Sequence, residues 1–206
     1  TGKVYYTKTP TTPKELLKGI NKGISKIVNE FSVKSKEIKE LIYGTTIVVN
    51  MIAQKESEAT ALITTKGFKD VLEIGRAYRS ENIYDINLEK PEPLVKRNLR
   101  FEVSERMNFL GQELEPVNKQ EVIEIINLLK EKNIRAIAVC LMHSYANPEH
   151  ELQIKEIIKK EWPEVYVSTS SEIIPQFREY ERTSTTVINA YMMPNMASHI
   201  VDFKKE

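Results

Sequence analysis

Cysteine and glycine are scarce in this chain, with one Cys and seven Gly among 206 residues. A lone Cys140 excludes an internal disulfide, so a reducing, cytoplasmic setting is expected. Cys140 lies within the apolar run Ala136-Ile137-Ala138-Val139-Cys140-Leu141-Met142. There a thiol reads as a packed small hydrophobe and not as a nucleophile. The seven glycines form no cluster, which excludes a glycine-rich loop able to bring backbone N–H groups close to phosphate. No apolar stretch approaches the ~20 residues of a membrane span, and Thr1–Lys8 carries no signal-peptide pattern. Charge of one sign is also lacking: 30 Lys and Arg against 29 Asp and Glu leave a formal net charge of +1. Neither a nucleic-acid surface nor a basic membrane arm is expected.

What remains is an ordinary globular balance, 41% apolar and 29% charged. The length suits one large domain or two small ones with a core that needs no staples. Gly2–Lys8 is rich in β-formers and reads as a strand. After the Thr9–Pro13 turn, Thr12 can cap a helix beginning at Pro13. Leu16, Leu17, Ile20, Ile24, Ile27, Val28 and Phe31 then recur at helical spacing. Ile38–Ile42 reads as a short strand, Tyr43–Thr46 as a turn, Ile47–Gln54 as a helix and Ala59–Thr64 as a strand. Gly67–Ile74 reads as a short helix stopped by Gly75. Strand, turn, helix, strand is the grammar of an α/β unit.

Residues 1–82 therefore form an α/β segment. Residues 83–117 contain Pro91, Pro93 and Pro116 and read as an excursion, with a hairpin of Leu99–Met107 against Gln112–Pro116. Residues 118–206 return to α/β: helix Lys119–Lys132, strand Ala136–Met142, helix Pro148–Glu161 and strand Val165–Ser168. A long helical region from about Phe177 to Lys204 follows, with a bend expected near Pro194.

Several polar sets stand out. Thr45 and Thr46 with Asn50 place hydroxyls and an amide at a helix N-terminus, where they can hold a carbonyl or phosphate oxygen. They can equally form a capping turn in which Thr46 bonds the first helical N–H groups. Arg76, behind Gly75, can bind an anionic group or pair on the surface with Glu73 or Glu81. Glu181, Thr185 and Asn189 fall on one helix face beside Arg182, which suits a cleft wall. Arg178–Glu181 and Glu179–Arg182 can instead be intrahelical ion pairs. His143, Glu149 and His150 tempt a metal assignment. Adjacent helix positions point apart, however, so a structural turn is the better reading and no metal site is assigned.

Four stretches, in order, resemble the N-terminal region of the hydantoinase A and oxoprolinase family. They are Tyr43-Gly44-Thr45-Thr46 through Asn50, Ala61 through Arg76, Ala138 through Pro148, and Arg178 through Tyr191. Lys90–Val95 falls where that family has a similar segment. The family includes ATP-dependent N-methylhydantoinases, 5-oxoprolinases, and acetone and acetophenone carboxylase subunits. The resemblance implies part of an actin- and hexokinase-like (sugar-kinase-like) α/β ATPase fold, with a mixed sheet, flanking helices and a hairpin excursion. It implies that ATP phosphorylates a carbonyl oxygen, of a cyclic amide before hydrolysis or of an enolisable ketone before carboxylation. It makes Thr45, Thr46, Asn50, Arg76, Glu181, Arg182, Thr185 and Asn189 candidate contacts to substrate or phosphate.

The family's acidic Gly-Gly-Thr phosphate loop has no counterpart here, and Tyr43 stands where many relatives have His. The resemblance thus implies the N-terminal part of a longer enzyme that uses ATP and Mg, inactive by itself and with no tightly bound cofactor. A non-catalytic binding or assembly module on the same fold is the alternative from another class. The expected partners are the C-terminal remainder, a hydantoinase B-like subunit and further copies of the chain.

Overall fold

The structure, a computed structural model, describes residues 2–12, 16–54, 59–76 and 92–205. Two compact units divide the chain: Thr1–Val48 with Ser198–Glu206, and Val49–Ala197. The boundary expected at residues 82 and 83 lies outside the described residues.

In the first unit, helix α1 (Leu16–Glu30) follows the predicted apolar period. The helix start expected at Pro13 lies outside the described residues; Thr12 Oγ1 accepts from Gly19 N–H at 3.1 Å, and Thr9 Oγ1 donates to Gly19 C=O at 3.2 Å. Gly19 is needed for this approach, since a Cβ there would stand 2.9 Å from Thr12 Oγ1. Tyr5 stacks on Phe31 with ring centroids 4.3 Å apart. Gly2–Lys8 and Ile38–Ile42, expected as strands, are not strands. β-Formers make a strand only beside a hydrogen-bonding neighbour, and the described residues give them none. Helix α2 (Ile47–Gln54) opens where expected.

The second unit is built on a parallel sheet. Strands β1 (Thr60–Thr65), β2 (Arg100–Val103), β5 (Ala136–Cys140) and β6 (Tyr166–Thr169) lie in the order β2-β1-β5-β6. All of their pairings are parallel. Every residue of β1 and β5 is buried, which is why both read as continuous apolar runs. Alternate residues face opposite sides. Ile63, Ile137 and Val139 join Ile126 and Leu129 of α4 (Lys119–Lys130) and Ile154 and Ile158 of α5 (Glu149–Glu161). Leu62, Ala136, Ala138 and Cys140 meet Val187 and Ala190 of α7 (Glu179–Lys205). Small residues on that second face let a helix backbone come close to the sheet.

Two elements differ from expectation. The Leu99–Met107 arm divides: Arg100–Val103 runs parallel to β1 in the main sheet, and only β3 (Arg106–Met107) pairs with β4 (Glu113–Glu115) as a hairpin. The turn between them is made by Ser104, whose N–H and Oγ both donate to Glu121 at 2.7 and 3.1 Å. Asn108 closes the hairpin tip, its Oδ1 accepting from Leu110 and Gln112 N–H, each at 2.9 Å. A short helix α6 (Ser170–Ile173) follows β6 directly. Helix α7 covers the long helical region expected, with Pro194 inside it. The short helix α3 (Val71–Ile74) ends as predicted at Gly75, whose φ is 56°. No helix among the described residues is long and apolar enough to cross a membrane.

Helix α4 supplies a contrast that tests this packing. Ile126 is fully buried and Leu128, two residues on, is 48% exposed. Ile126→Ala is expected to lower unfolding free energy by about 2–5 kcal/mol, and Leu128→Ala to change it by about 0.5 kcal/mol or less. Urea unfolding of both variants checks this. Equal losses would place α4 in a different rotation.

Candidate functional site

Parallel strands bring their carboxyl ends to one edge of the sheet, the place where open α/β sheets present ligand-binding loops. Here Thr65, Val103, Cys140 and Thr169 end the strands. The segments that follow carry a dense set of buried polar groups.

Leu141 is the first residue past β5, so its backbone groups leave the sheet ladder. Its N–H donates to Glu151 Oε1 at 2.9 Å, and its C=O accepts from Arg182 Nη2 at 2.6 Å. Glu151 is fully buried. It also accepts from Ser170 Oγ at 2.6 Å and Ser171 N–H at 2.7 Å. It thereby ties the end of β5 to the start of α6. Its place in the first turn of α5 adds a favourable interaction with the helix dipole. Arg182 is 1% exposed. Its Nη1 donates to Gln176 C=O at 3.1 Å, and its guanidinium lies 5.4 Å from the centre of the Tyr145 ring. Its Nε has no hydrogen-bond partner.

A second network lies at the end of β1. Thr65 Oγ1 accepts from Met142 N–H at 2.9 Å and donates to Glu105 Oε1. Glu105 Oε2 meets His150 Nδ1 at 2.7 Å, and His150 Nε2 meets Glu113 at 2.8 Å. Burial pulls the His150 pKa down, but hydrogen bonds to Glu113 and Glu105 and their charges outweigh it, so it lies above the usual value. An imidazole with a carboxylate on each nitrogen is matched by its protonated form, in which both nitrogens donate.

Cys140 Sγ accepts from Thr183 Oγ1 at 3.1 Å. Burial, first among several causes, raises its thiol pKa, as suits a packed side chain. Between these networks sits His143, half-buried, with φ 57°. Its Nδ1 is 3.3 Å from the Tyr145 hydroxyl. Burial first, then the charges of Arg106 and Arg182, lowers its pKa.

The residues singled out from sequence fall in different places. Thr45 and Thr46 are exposed in the first unit, and the capping bond comes from Thr45, whose Oγ1 accepts from Ile47 N–H at 3.2 Å. Asn50 is exposed on α2. Arg76 does not pair with Glu73. It binds Glu181, 105 residues away, while Glu73 takes Arg100 at 3.0 Å. Glu81 lies outside the described residues. The expected Arg178–Glu181 and Glu179–Arg182 pairs do not form, because Glu181 faces Arg76 and Arg182 turns inward to the two carbonyls. Asn189 Nδ2 donates to Ser168 Oγ at 2.9 Å, and Thr185 is half-buried on the same helix. His143 and His150 do not share a ligand: His150 is taken by two carboxylates and Glu149 is exposed. Sequence reasoning missed Glu105, Glu151 and Thr65. Glu151 alone left a signal, as an acidic residue in the first turn of a helix.

The raised His150 pKa fixes the sign of a pH effect. Its contribution to stability is fully present below the unfolded histidine value, about 6.5, and is lost as pH rises through the higher folded value. Unfolding free energy is therefore expected to fall over that window. His150→Gln should flatten the fall, leaving a variant less stable at low pH and nearer to the parent at high pH. Urea unfolding at a series of pH values measures it. An unchanged slope in the variant would remove His150 as its source.

Comparison with known proteins agrees with this architecture. Residues 1–162 match the family described as the hydantoinase/oxoprolinase N-terminal region. An uncharacterized protein of Methanocaldococcus jannaschii is 44% identical over 97% of this chain and 29% of its own length. The acetophenone carboxylase gamma subunit of Aromatoleum aromaticum is 31% identical over 97% of this chain and 29% of its own. The crystal structure of the ATP-dependent caprolactamase from Pseudomonas jessenii superposes with a TM-score of 0.86 at 32% identity, over 98% of this chain and 30% of that one. The chain thus spans less than a third of the length of the relatives it matches. Its fold is the mixed α/β fold of the actin and hexokinase type of ATPase. On the match over residues 1–162 and these likenesses together, the chain belongs to the hydantoinase/oxoprolinase N-terminal family.

Proposed function

We propose that this chain is the N-terminal, non-catalytic part of an ATP-dependent enzyme that activates a carbonyl group. The observation that carries the reading is the likeness to caprolactamase along nearly the whole chain. Amide resonance makes a lactam carbonyl a poor electrophile. When bound, ATP would supply a phosphoryl group to the carbonyl oxygen, removing that resonance. With a ketone the same step would trap the enol form for carboxylation, a second reading favoured by the acetophenone carboxylase relative.

The glycines of this chain do not fit a nucleotide: they form no cluster. Its own residues would instead bind and orient substrate. Arg76 and Glu181 are the foremost candidates, because the fold joins residues that lie far apart in sequence. With side chains 56% and 37% exposed, an ion pair of this kind adds little to stability, and a ligand could reach both groups from solvent. Thr45, Thr46, Asn50, Arg182, Thr185 and Asn189 are further proposed contacts to substrate or phosphate, of which Arg182 would act by placing the loop after β5.

The class is tested with the full-length protein and its partner subunit, ATP and Mg, on caprolactam, a hydantoin and 5-oxoproline, and on ketones with bicarbonate. ATP-dependent turnover of a cyclic amide supports hydrolysis and turnover of a ketone supports carboxylation; turnover of none sinks the proposal. The present chain by itself is expected not to hydrolyse ATP, and sustained metal-dependent hydrolysis by it would contradict the non-catalytic role. Arg76→Ala in the full-length enzyme is expected to reduce turnover about tenfold or more with little change in melting temperature. Unchanged kinetics would make the pair a surface contact only.

A further inference from the structure

Strand β4 is held to its unit by very little. Glu113, Leu114 and Glu115 are all exposed, so no apolar burial anchors it. Its ladder with β3 consists of Arg106 opposite Glu115 and Met107 opposite Glu113, with a register shift between them. Firm anchors lie to either side. At the hairpin tip, Asn147 Nδ2 donates to Gly111 C=O at 2.9 Å. At the base, Asn118 N–H donates to Ser104 C=O at 2.9 Å. Between these anchors, a single side-chain hydrogen bond among the described residues ties β4 to α5. It joins Glu113 to His150 Nε2 at 2.8 Å.

That bond depends on a proton. His150 is 1% exposed, and its Nδ1 lies 2.7 Å from Glu105 Oε2. With both nitrogens protonated, the ring donates to both carboxylates. With one proton gone, only one nitrogen donates, and the other turns its lone pair on a carboxylate. The two carboxylates compete unequally for the N–H that remains. The Glu105 side chain is fully buried, and Thr65, itself bound to Met142 N–H, fixes it in place. A buried carboxylate left short of donors is costly. The Glu113 side chain is 49% exposed and can exchange the ring for water. The proton that leaves is therefore the one on Nε2, and the contact that breaks is the one to β4.

No other charged group competes for the ring. On α5 itself, Glu149 is exposed and Glu151 is bound to Leu141, Ser170 and Ser171. On β3, the Arg106 guanidinium lies over the Phe68 ring. Burial opposes the charged imidazole, but the hydrogen bonds and charges of Glu113 and Glu105 outweigh it. The closed arrangement is thus the acid form, and a rise in pH opens it.

We propose that His150 is a proton-operated latch on the hairpin: the doubly protonated ring holds β4 against α5, and loss of the Nε2 proton releases β4 while tip and base stay anchored. The released segment carries Glu113 and Glu115 on either side of exposed Leu114. A fixed strand then becomes a loose acidic loop on the surface of the unit. Histidine is the side chain suited to such a device near neutral pH. The latch needs no nucleotide, so its test is independent of the proposed activity.

The test is NMR of this chain over a pH series. It reads the His150 ring titration, with ring signals assigned through bonds to the backbone, and the hydrogen-exchange protection of the β3–β4 ladder amides, corrected for the intrinsic pH dependence of exchange. Ladder protection is expected to fall about tenfold or more with the midpoint of the ring titration, and by much more than that of β5. Glu113→Gln separates the latch from a merely structural bond. Its amide can donate to the deprotonated Nε2, so ladder protection is expected to lose most of its pH dependence while the ring still titrates. A ring that does not titrate between about pH 5 and 9, a ladder that does not follow it, a fall shared equally by β5, or the same fall in Glu113→Gln would each overturn the proposal. If Glu113→Gln does not fold, the comparison of ladder, ring and β5 in the parent chain decides alone.

Discussion

The second unit turns on one backbone residue. Where β5 leaves the sheet, Leu141 needs a new acceptor for its N–H and a new donor for its C=O, deep in the protein. A carboxylate and a guanidinium fill those roles from opposite directions, Glu151 from α5 and Arg182 from α7. A buried backbone group left unpaired would cost more than one ordinary hydrogen bond contributes. The demand is therefore obligatory, and it places three elements at once. It sets the start of α5, the inward face of the first turn of α7 and, through Ser170 and Ser171, the start of α6.

From that grip follow the arrangements nearby. The loop after Leu141 is held tightly enough to keep His143 in a left-handed conformation and to bring Met142 N–H to Thr65. Thr65 then reaches Glu105, Glu105 reaches His150, and His150 reaches Glu113 of the hairpin. A continuous polar chain thus runs from the middle of the sheet to β4. Its buried charges answer desolvation in different ways. Glu151 is saturated by donors, Glu105 shares a proton-bearing imidazole, and Arg182 leans on carbonyls and an aromatic face. Breaking a buried pair of this kind costs about 3–5 kcal/mol. Exposed pairs such as Arg97–Asp70, at 2.8 Å, are screened by solvent and contribute little. Stability and the placing of the loops therefore rest on the inner charges.

Much of the framework was legible in the residues. Ala61–Thr64 and Ala136–Cys140 read as strands because a strand covered on both faces needs apolar side chains at every position. α1, α4 and α5 were legible from their apolar period, and the α3 stop from Gly75. The hairpin was only half legible. Arg100–Val103 and Arg106–Met107 have similar β-character, and nothing local tells a residue whether its ladder partner is five residues away or forty. The strands expected at Gly2–Lys8 and Ile38–Ile42 carried the right composition without the neighbours that make a strand. Arg76 and the Arg178–Asn189 stretch were singled out, but the pairs offered within the helix as one alternative are not the contacts that form. Local spacing favours i to i+4 pairs, whereas the folded sheet offered Arg182 two carbonyls and Glu181 a distant arginine.

By itself, then, the sequence determined the α/β class, most element positions in the second unit, a packed role for Cys140, and membership of a family through four ordered stretches. These properties depend on periodicity and on residue type within one element, which short-range sterics and burial dictate. Only the tertiary structure decided that β2 lies parallel to β1, that Arg182 is buried, that His150 bridges Glu105 and Glu113, and that His143 takes a left-handed turn. Each of those depends on which groups β5 leaves unsatisfied at its carboxyl end, and that need arises only once strands distant in sequence lie side by side.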